Sequence, residues 1–296
     1  MSFTHWLQTC DTALAIHTTA WLRQEQAGGH RSRKLGAGFR LRHHDVYRPG
    51  DKRQHIDWKA SRKSDALLVR RFAAPKRLDV HVVCDVSASM LFGYKCAKLR
   101  TAVDCAGLLA LATLRQGNAF GLTLFASDVV SHFPPRQRQG AILHALEYLW
   151  HYEPRVTWNT ETRCAPVVPH IPMHHPALVC VISDFRMADW QPALHQISAV
   201  HDMLVVCVED ESETHLAHLG GSIAVRDLES GDVFPLDIPS ATMRRWLQAQ
   251  METERQARHQ DLQHVCGAEY VMATPTMDYT GDLFRLFFTR SAMTRT

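Results

Sequence analysis

The chain has 296 residues, of which 46% are hydrophobic and 21% are charged. This ordinary globular composition excludes collagen-like, low-complexity and wholly disordered chains. The net charge of +3 combines a basic segment with an acidic remainder: residues 1–77 carry 16 Lys+Arg against 6 Asp+Glu, whereas residues 78–296 carry 17 against 24. We therefore expect a chain of two parts, 1–77 and 78–296, or a surface for an acidic partner.

The sequence also indicates a cellular compartment. No stretch approaches the roughly 18 uninterrupted apolar residues of a membrane helix, and the first residues lack the basic leader and apolar core of a signal peptide. The eight cysteines include no Cys-x-x-Cys pair, and Cys84, Cys180 and Cys207 fall inside apolar runs. We expect reduced cysteines in the core of a cytoplasmic protein that does not contact a membrane.

Few elements are predicted in the basic part of the chain. Apolar residues at helical spacing predict an amphipathic helix over 3–27, ended by two glycines. Residues 30–77 are rich in Arg and Lys, and the run LLVRRF (67–72) predicts a strand. We expect this segment to fold as a small extension rather than a solvated arm. Its expected buried positions are Ile56, Trp58 and Leu67–Val69.

Apolar strands alternate with helices from residue 78 onward. Near-continuous apolar runs are typical of strands covered on both faces, as in a parallel sheet. The predicted fold class is therefore α/β, an open, doubly wound and mostly parallel sheet. We expect HFPPRQ (132–137) to act as a breaker, and residues 224–237 to form a hairpin. The predicted strands are 78–85, 121–127, 177–185, 203–210 and 269–276, and the predicted helices are 95–115, 138–152, 190–201, 239–264 and a closing one from 282.

Hydroxyl and carboxylate side chains follow two of the predicted strands. Asp85, Ser87 and Ser89 come directly after the strand at 78–85, and Asp184 ends the strand at 177–185. Ligands of open α/β sheets bind outside the carboxyl ends of the strands, and hard oxygen ligands suit Mg²⁺. Capping of the next helix is the structural alternative for these residues. The second carboxylate favours the metal.

Other chemistries lack the residues that they need. Ser87 stands where a haloacid-dehalogenase-type phosphotransferase has its second aspartate. The sequence contains neither a GxxxxGK[ST] phosphate loop nor a Gly-x-Ser-x-Gly elbow, and its 19 histidines show no zinc-ligand spacing. Because we can name no general base, binding is favoured over catalysis, with a Mg²⁺-dependent phosphoesterase as an alternative.

The Asp-x-Ser-x-Ser run after an apolar strand resembles the metal-ion-dependent adhesion site of von Willebrand factor type A domains. Upstream, residues 29–39, 46–63 and 67–72 resemble the domain of unknown function 58 family. In that family an Arg-x-Tyr-x-x-Gly-Asp-x-x-Arg-x-Ile-Asp-Trp run precedes a von Willebrand A-like domain. Asp45 stands here in place of the first Arg. The corresponding residues are Tyr47, Gly50, Asp51, Ile56, Asp57 and Trp58, followed by Arg62, and Arg53 stands one position before the run's second Arg.

The resemblance implies a site for Mg²⁺, Mn²⁺ or Ca²⁺ whose open coordination position accepts a Glu or Asp of a partner. A threonine from a later loop completes such sites, and Thr162 fits this position best, with Thr160 as the runner-up. The segment WNTETRCAPVV lacks the glycine that usually precedes this threonine. The implied metal ligands are Asp85, Ser87, Ser89, Thr162 and Asp184.

The resemblance also implies a partner. Similar proteins are typically encoded beside MoxR-type AAA+ ATPases and are thought to act with them as adaptors or chaperone partners in the maturation of complexes. It thus implies a non-enzymatic, metal-dependent protein-interaction module. The alternative is a nucleic-acid-binding protein that uses the basic residues 31–77. We favour this alternative less, because acidic residues are interleaved with the basic ones in that segment.

Overall fold

A six-stranded sheet with helices on both faces forms the body of the protein in this computed structural model. A two-stranded ribbon precedes the sheet in the chain, and a two-stranded hairpin lies in the chain between the last two strands of the sheet. The residues that the structure describes are 2–10, 35–49, 51, 55–64, 66–73, 79–93, 97–115, 117–153, 162–171, 177–213, 221–226, 231–238, 240–266, 270–275 and 281–283.

Strands and helices alternate through most of the described chain. The strands are β1 (Leu35–Val46), β2 (Leu68–Ala73), β3 (Asp79–Asp85), β4 (Ala119–Phe125), β5 (Val129–Arg136), β6 (Leu178–Ser183), β7 (Asp202–Val208), β8 (Gly221–Arg226), β9 (Val233–Ile238) and β10 (Tyr270–Ala273). The helices are α1 (3–10), α2 (Trp58–Ser61), α3 (Ala97–Arg115), α4 (Gln139–Trp150), α5 (Trp190–Ser198) and α6 (Ala241–Cys266). Short 3₁₀ turns lie at Ala88–Leu91, Ala165–His170 and Glu211–Glu213.

The order of strands across the sheet is β10-β7-β6-β3-β4-β5. All neighbouring pairs are parallel except β4 and β5, which confirms the predicted doubly wound, mostly parallel α/β fold. The chain runs from β3 to β4 on one side and later returns to place β6 on the other side of β3. The reversal makes the carboxyl ends of β3 and β6 the switch point where sheets of this kind bind ligands.

The two faces of the sheet support separate hydrophobic cores. Successive side chains of a strand point to opposite faces of the sheet, so neighbouring residues of one strand lie in different cores. Val82 belongs to the core that includes residues of α1, α3 and α4, whereas Val83 belongs to the core that includes residues of α5, the 3₁₀ turn Ala165–His170 and Leu262 of α6. Burial on both sides is the reason why the strands read as near-continuous apolar runs.

The prediction that HFPPRQ (132–137) breaks the structure was wrong. Most of it belongs to β5, which pairs antiparallel with β4 at the edge of the sheet. Pro134 and Pro135 lack the N–H that a central strand must donate, and an edge strand tolerates this loss. The helix expected over 3–27 is described at 3–10, and residues 11–27 lie outside the described part.

The basic extension contains a β-ribbon, of which β1 was not among the predicted strands. β1 and β2 pair antiparallel with irregular register, and Ile56 forms a bridge to Val69. Ile56 and Val69 are buried, as predicted. Trp58 and Leu67, however, are 63% and 44% exposed, so their predicted burial was wrong. Ile56 and Val69 pack together in the interior of this segment, whereas Trp58, the first residue of α2, faces outward.

Residues of the upstream motif organise the turns around α2. Asp57 accepts hydrogen bonds from the N–H groups of Lys59 and Ala60 and so caps the helix, and it also contacts His44 at 3.0 Å. Asp51 accepts from the N–H of Arg48 at 3.0 Å. Among the other motif positions, the N–H of Tyr47 donates to Leu67, Arg62 is exposed, and Gly50 and Arg53 lie outside the described residues.

Three further expectations concern the rest of the chain. β8 and β9 form the predicted hairpin, pairing from Gly221–Ile238 to Arg226–Val233. The six cysteines whose side chains the structure describes are buried and form no disulfide with one another, which confirms the predicted core thiols for them. Within the described ranges, no helix combines the length and apolar character that crossing a membrane requires.

Helix α1 docks on α3 through Trp6, which stacks on Trp150 at a centroid distance of 4.8 Å and donates to Asp104. A Cβ added at Gly107 would lie 2.5 Å from the Trp6 ring.

We expect Gly107→Ala to lower the free energy of unfolding by about 1–3 kcal/mol in urea titrations, because the Trp6 ring must move. The matched control is Gly140→Ala in α4, where nothing lies within 4 Å. The control should lose no stability, and equal effects at both positions would contradict this docking.

Candidate metal site

The candidate site begins where β3 and β6 end. Cys84 pairs with Ile182 in the parallel register, so Asp85 and Ser183 are the next residues on adjacent strands. The Ser183 hydroxyl donates to Asp85 Oδ2 at 2.6 Å. Both residues are fully buried. Strand pairing thus aligns two polar side chains that are 98 positions apart in the chain.

The loop after β3 folds back over the Asp85 carboxylate. The Ser87 N–H donates to Asp85 Oδ1 at 2.8 Å, and the Ser87 and Ser89 hydroxyl oxygens lie 3.1 Å apart. Val86 is buried in the opposite direction, in the core beside α3. The structure therefore brings Asp85, Ser87 and Ser89 together, as the alternating pattern predicted.

Helix capping does not account for these side chains. Helix α3 begins at Ala97, well after the run, and Ser87 precedes only the 3₁₀ turn Ala88–Leu91. Its side chain makes no capping hydrogen bond to that turn. The hydroxyls of Ser87 and Ser89 are instead held beside each other, next to the buried carboxylate.

Thr162 is also placed at the carboxyl edge of the sheet. The side chain is 7% exposed, and the N–H of the next residue, Arg163, donates to the carbonyl of Ala126 just beyond β4. Asp189 holds the following turn through the N–H groups of Cys164 and Ala165. Burial, Asp189 and Asp85 together raise the pKa of the Cys164 thiol to about 12. Thr160 lies outside the described residues.

Asp184 has a different environment from Asp85. Its Oδ2 accepts a hydrogen bond from Lys98 Nζ at 2.6 Å, and the Arg186 guanidinium lies 3.8 Å from the same oxygen. Burial alone would raise the pKa of Asp184, but the charge and hydrogen bond of Lys98 outweigh it, and the pKa is lowered. This carboxylate is thus already paired with a cation.

Asp85, unlike Asp184, has no positively charged side chain against its carboxylate among the described residues. Burial and repulsion by Asp184 raise its pKa to about 7, although hydrogen bonds from Ser183 and Ser87 oppose the shift. Among the described residues, no cation contacts its oxygens. A buried carboxylate without a countercharge is unfavourable, and a bound cation would relieve this.

The donor set fits a hard ion. No group of three or more His, Cys, Asp or Glu residues in the described ranges has metal-binding geometry. An ion at this site would therefore rest on hydroxyl groups and on few carboxylates. Mg²⁺, which keeps several of its waters, accepts such a set.

The backbone is strained next to the site. Among the residues that the structure describes, Phe185 is the one non-glycine residue with a positive φ, at 54°. Its N–H donates to the Ser183 hydroxyl at 3.0 Å, and its ring packs edge-on against Trp190 in the core. Such conformations cost about 1–3 kcal/mol and persist where the surroundings impose them. The turn keeps Ser183 and Asp184 in their positions.

Sequence reasoning assigned no role to four side chains of this region: Ser183, Lys98, Arg186 and Glu213. Lys98 is fully buried and also donates to Glu213 Oε1 at 2.8 Å. Arg186 donates to the other Glu213 oxygen at 3.1 Å. The helical period offered one signal, because Lys98 lies on the same face of α3 as the buried Ala102.

A cavity of about 320 Å³ lies beside this network, between the ends of β7 and β10 and helix α6. Glu209 on its wall is buried and pairs with Arg255, Arg258 and His259 of α6 at 2.9–3.3 Å. Burial would raise the pKa of Glu209, but these partners lower it to about 2. The pairs attach α6 to the carboxyl edge of the sheet.

Comparisons with known proteins give one family. The family described as "Protein of unknown function DUF58" matches residues 44–257. Uncharacterized proteins of Mycobacterium bovis and Mycobacterium tuberculosis are each 25% identical over 273 residues, or 89% of this chain and 83% of theirs. These relatives carry no described activity.

Solved structures with similarity to the chain include von Willebrand-type domains. BatB from Bacteroides thetaiotaomicron is 14% identical, with a TM-score of 0.44 over 73% of this chain and 99% of that chain. The von Willebrand factor domain of the pilus tip protein Mfa5 from Porphyromonas gingivalis is 12% identical, with a TM-score of 0.38 over 75% and 96%. A von Willebrand factor type A protein from Catenulispora acidiphila is 16% identical, with a TM-score of 0.35 over 61% and 43%.

The lowered pKa of Glu209 predicts a pH dependence of stability. A carboxylate with a depressed pKa stabilises the fold above its unfolded pKa, and this contribution is lost as pH falls from 4.5 towards 2. We expect Glu209→Gln to lower the free energy of unfolding by about 3 kcal/mol at pH 7 and by much less near pH 2. Urea titrations at both pH values measure this, and a loss that is equal at both would contradict the assignment.

Proposed function

This chain belongs to the family described as "Protein of unknown function DUF58", and on that premise we propose that it is a divalent-metal-dependent protein-interaction module rather than an enzyme. The observation that supports this most is the uncompensated, fully buried Asp85 carboxylate beside two converging serine hydroxyls. A divalent cation at this point balances the charge.

The proposed ligands are the residues that the carboxyl edge of the sheet brings together. Asp85, Ser87 and Ser89 contact the ion directly, and Thr162 approaches from the loop after β5 and α4. Asp184 takes part through a water molecule, because Lys98 already occupies its oxygen. When bound, Mg²⁺ (or Mn²⁺ or Ca²⁺) supplies a positive charge that attracts an incoming anion.

Capture of a partner's carboxylate is the function that follows. An ion held by few protein carboxylates keeps net positive charge, and a Glu or Asp of a partner completes its coordination. We assign to no residue of the site the role of a base that activates water, so the proposal is binding without hydrolysis. The proposed partner is a cytoplasmic MoxR-type AAA+ ATPase, by resemblance to the family, and the chain acts with it as an adaptor.

The first test is the stability of the protein with and without the ion. We expect Mg²⁺ at about 100 times its Kd to raise the free energy of unfolding by about 2.7 kcal/mol. Asp85→Asn keeps the shape of the side chain but removes the charge. It should abolish the Mg²⁺ effect, and in EDTA it should be at least as stable as the parent because the buried charge is gone.

Asp128→Asn is the matched control for this experiment. Asp128 lies at the same edge of the sheet, between β4 and β5, but it is exposed, and its side chain accepts a hydrogen bond from the N–H of Val129. The control should keep the full Mg²⁺ effect in thermal and urea unfolding. Absence of any Mg²⁺ effect on the parent protein, at up to millimolar ion, would refute the metal site.

The second test is binding to the purified MoxR-type ATPase of the host. We expect affinity at least tenfold weaker in EDTA than in Mg²⁺, and a similar loss for Asp85→Asn in Mg²⁺, because the ion joins the two proteins. Biolayer interferometry with the Asp128→Asn control measures both. Binding that ignores both EDTA and the variant would exclude capture through the ion.

Exposure of Trp58 keeps nucleic acid as the second candidate. The side chain is 63% exposed, and Lys59, Arg62 and Lys63 beside it are exposed as well. An aromatic side chain among cations can stack on bases and neutralise phosphates. Binding of single-stranded oligonucleotides that falls steeply with salt, ignores EDTA and is lost in Trp58→Ala would favour this candidate over the adaptor.

A further inference from the structure

Lys98 is a fully buried lysine at the edge of the candidate metal site. Its Nζ lies 2.6 Å from Asp184 Oδ2 and 2.8 Å from Glu213 Oε1, and its side chain is 0% exposed. Burial of an ammonium group is costly unless carboxylates surround it. Helix α3, which buries most of its residues in the core, therefore directs one cation to the end of β6.

The charges around Lys98 balance without an added ion. Asp184 and Glu213 supply two negative charges, and Lys98 and Arg186 supply two positive charges. Asp85 stands outside this network, with hydrogen bonds from Ser87 and Ser183 but no cation among the described residues. Of the two carboxylates at the switch point, only Asp85 has negative charge to offer an ion.

We propose that Lys98 is the resident cation of the site, which neutralises Asp184 and thereby keeps the site's affinity for a divalent ion low. The inference rests on the proposed function in one respect, namely that the ion's remaining charge serves to capture a partner carboxylate. Lys98 is a positioning residue in this role: it acts through Asp184 and through its own charge. The ion and the partner's carboxylate then stabilise each other, since neither is held strongly alone.

A purely structural role for Lys98 makes the opposite prediction. If the ion pairs serve only to hold α3 and Glu213 against the sheet, then removal of Lys98 loosens the site and weakens its binding of metal. If Lys98 is the resident cation, its removal frees Asp184 and takes away a repelling charge, so metal binding becomes tighter. The sign of the change separates the two roles.

The experiment measures Mn²⁺ binding to the full chain by electron paramagnetic resonance, with isothermal titration of Mg²⁺ as a second readout. We expect Lys98→Met, which keeps the length but removes the charge, to bind Mn²⁺ at least tenfold more tightly than the parent protein. Lys98→Arg keeps the charge and should bind Mn²⁺ as the parent does. The Asp85→Asn variant should bind none in either background.

Loss of folding is the obvious hazard of Lys98→Met, because it leaves Glu213 without one of its partners. The double variant Lys98→Met/Glu213→Gln removes the cation and this carboxylate together, so that the remaining Arg186 and Asp184 still balance. Circular dichroism and urea unfolding verify that it folds. The double variant should also bind Mn²⁺ more tightly than the parent, but with a smaller gain than Lys98→Met, because a negative charge is removed as well and Arg186 still lies 3.8 Å from Asp184 Oδ2.

Each outcome decides between the two proposals. A parent protein that binds Mn²⁺ weakly and a Lys98→Met variant that binds it tightly support both. Equal or weaker binding by the folded double variant overturns the role of Lys98 but leaves the metal-dependent function intact. Binding by Lys98→Met alone, with none by the parent, supports the role of Lys98 and overturns the proposed function. Absence of binding in both proteins overturns both proposals.

Discussion

Parallel pairing of β3 with β6 is the constraint on which the site depends. The register that sets Cys84 against Ile182 makes Asp85 and Ser183 neighbours, and it brings Asp184 to the same edge. The crossover that returns the chain to the other side of β3 creates this neighbourhood. Two apolar cores, one on each face, hold the strands in that order, so the precision of the polar edge derives from apolar packing.

The two carboxylates at the carboxyl edge of the sheet, Asp85 and Asp184, have different electrostatic environments. Asp184 faces a buried lysine and an arginine, whereas the partners of Asp85 among the described residues are a hydroxyl and an amide N–H. In a low-dielectric environment, the carboxylate without a neighbouring cation attracts a positively charged ligand more strongly than the carboxylate that is already paired. The strained backbone at Phe185 follows directly after these residues. It turns the chain just beyond Ser183, and the Phe185 N–H donates to the Ser183 hydroxyl that in turn donates to Asp85.

Much of the fold was predictable because its signals are local. Apolar runs, helical periods and the pattern of residues 224–237 indicated strands, helices and a hairpin that the described residues contain. The errors have local causes as well. Pro134 and Pro135 suggested a break, although an edge strand accepts them. Trp58 suggested a core residue, although Ile56 and Val69 provide the packing there and leave it outside.

The α/β class and the cluster of Asp85, Ser87 and Ser89 were predictable from the sequence, because side chains two residues apart in a turning loop come close through local geometry. The hydrogen bond from Ser183 to Asp85 and the pairing of Lys98 with Asp184 depend on the fold. These partners are 98 and 86 positions apart. Their meeting depends on strand order and on the docking of α3, which no local pattern encodes. The charge that each carboxylate presents to a ligand follows from those distant contacts.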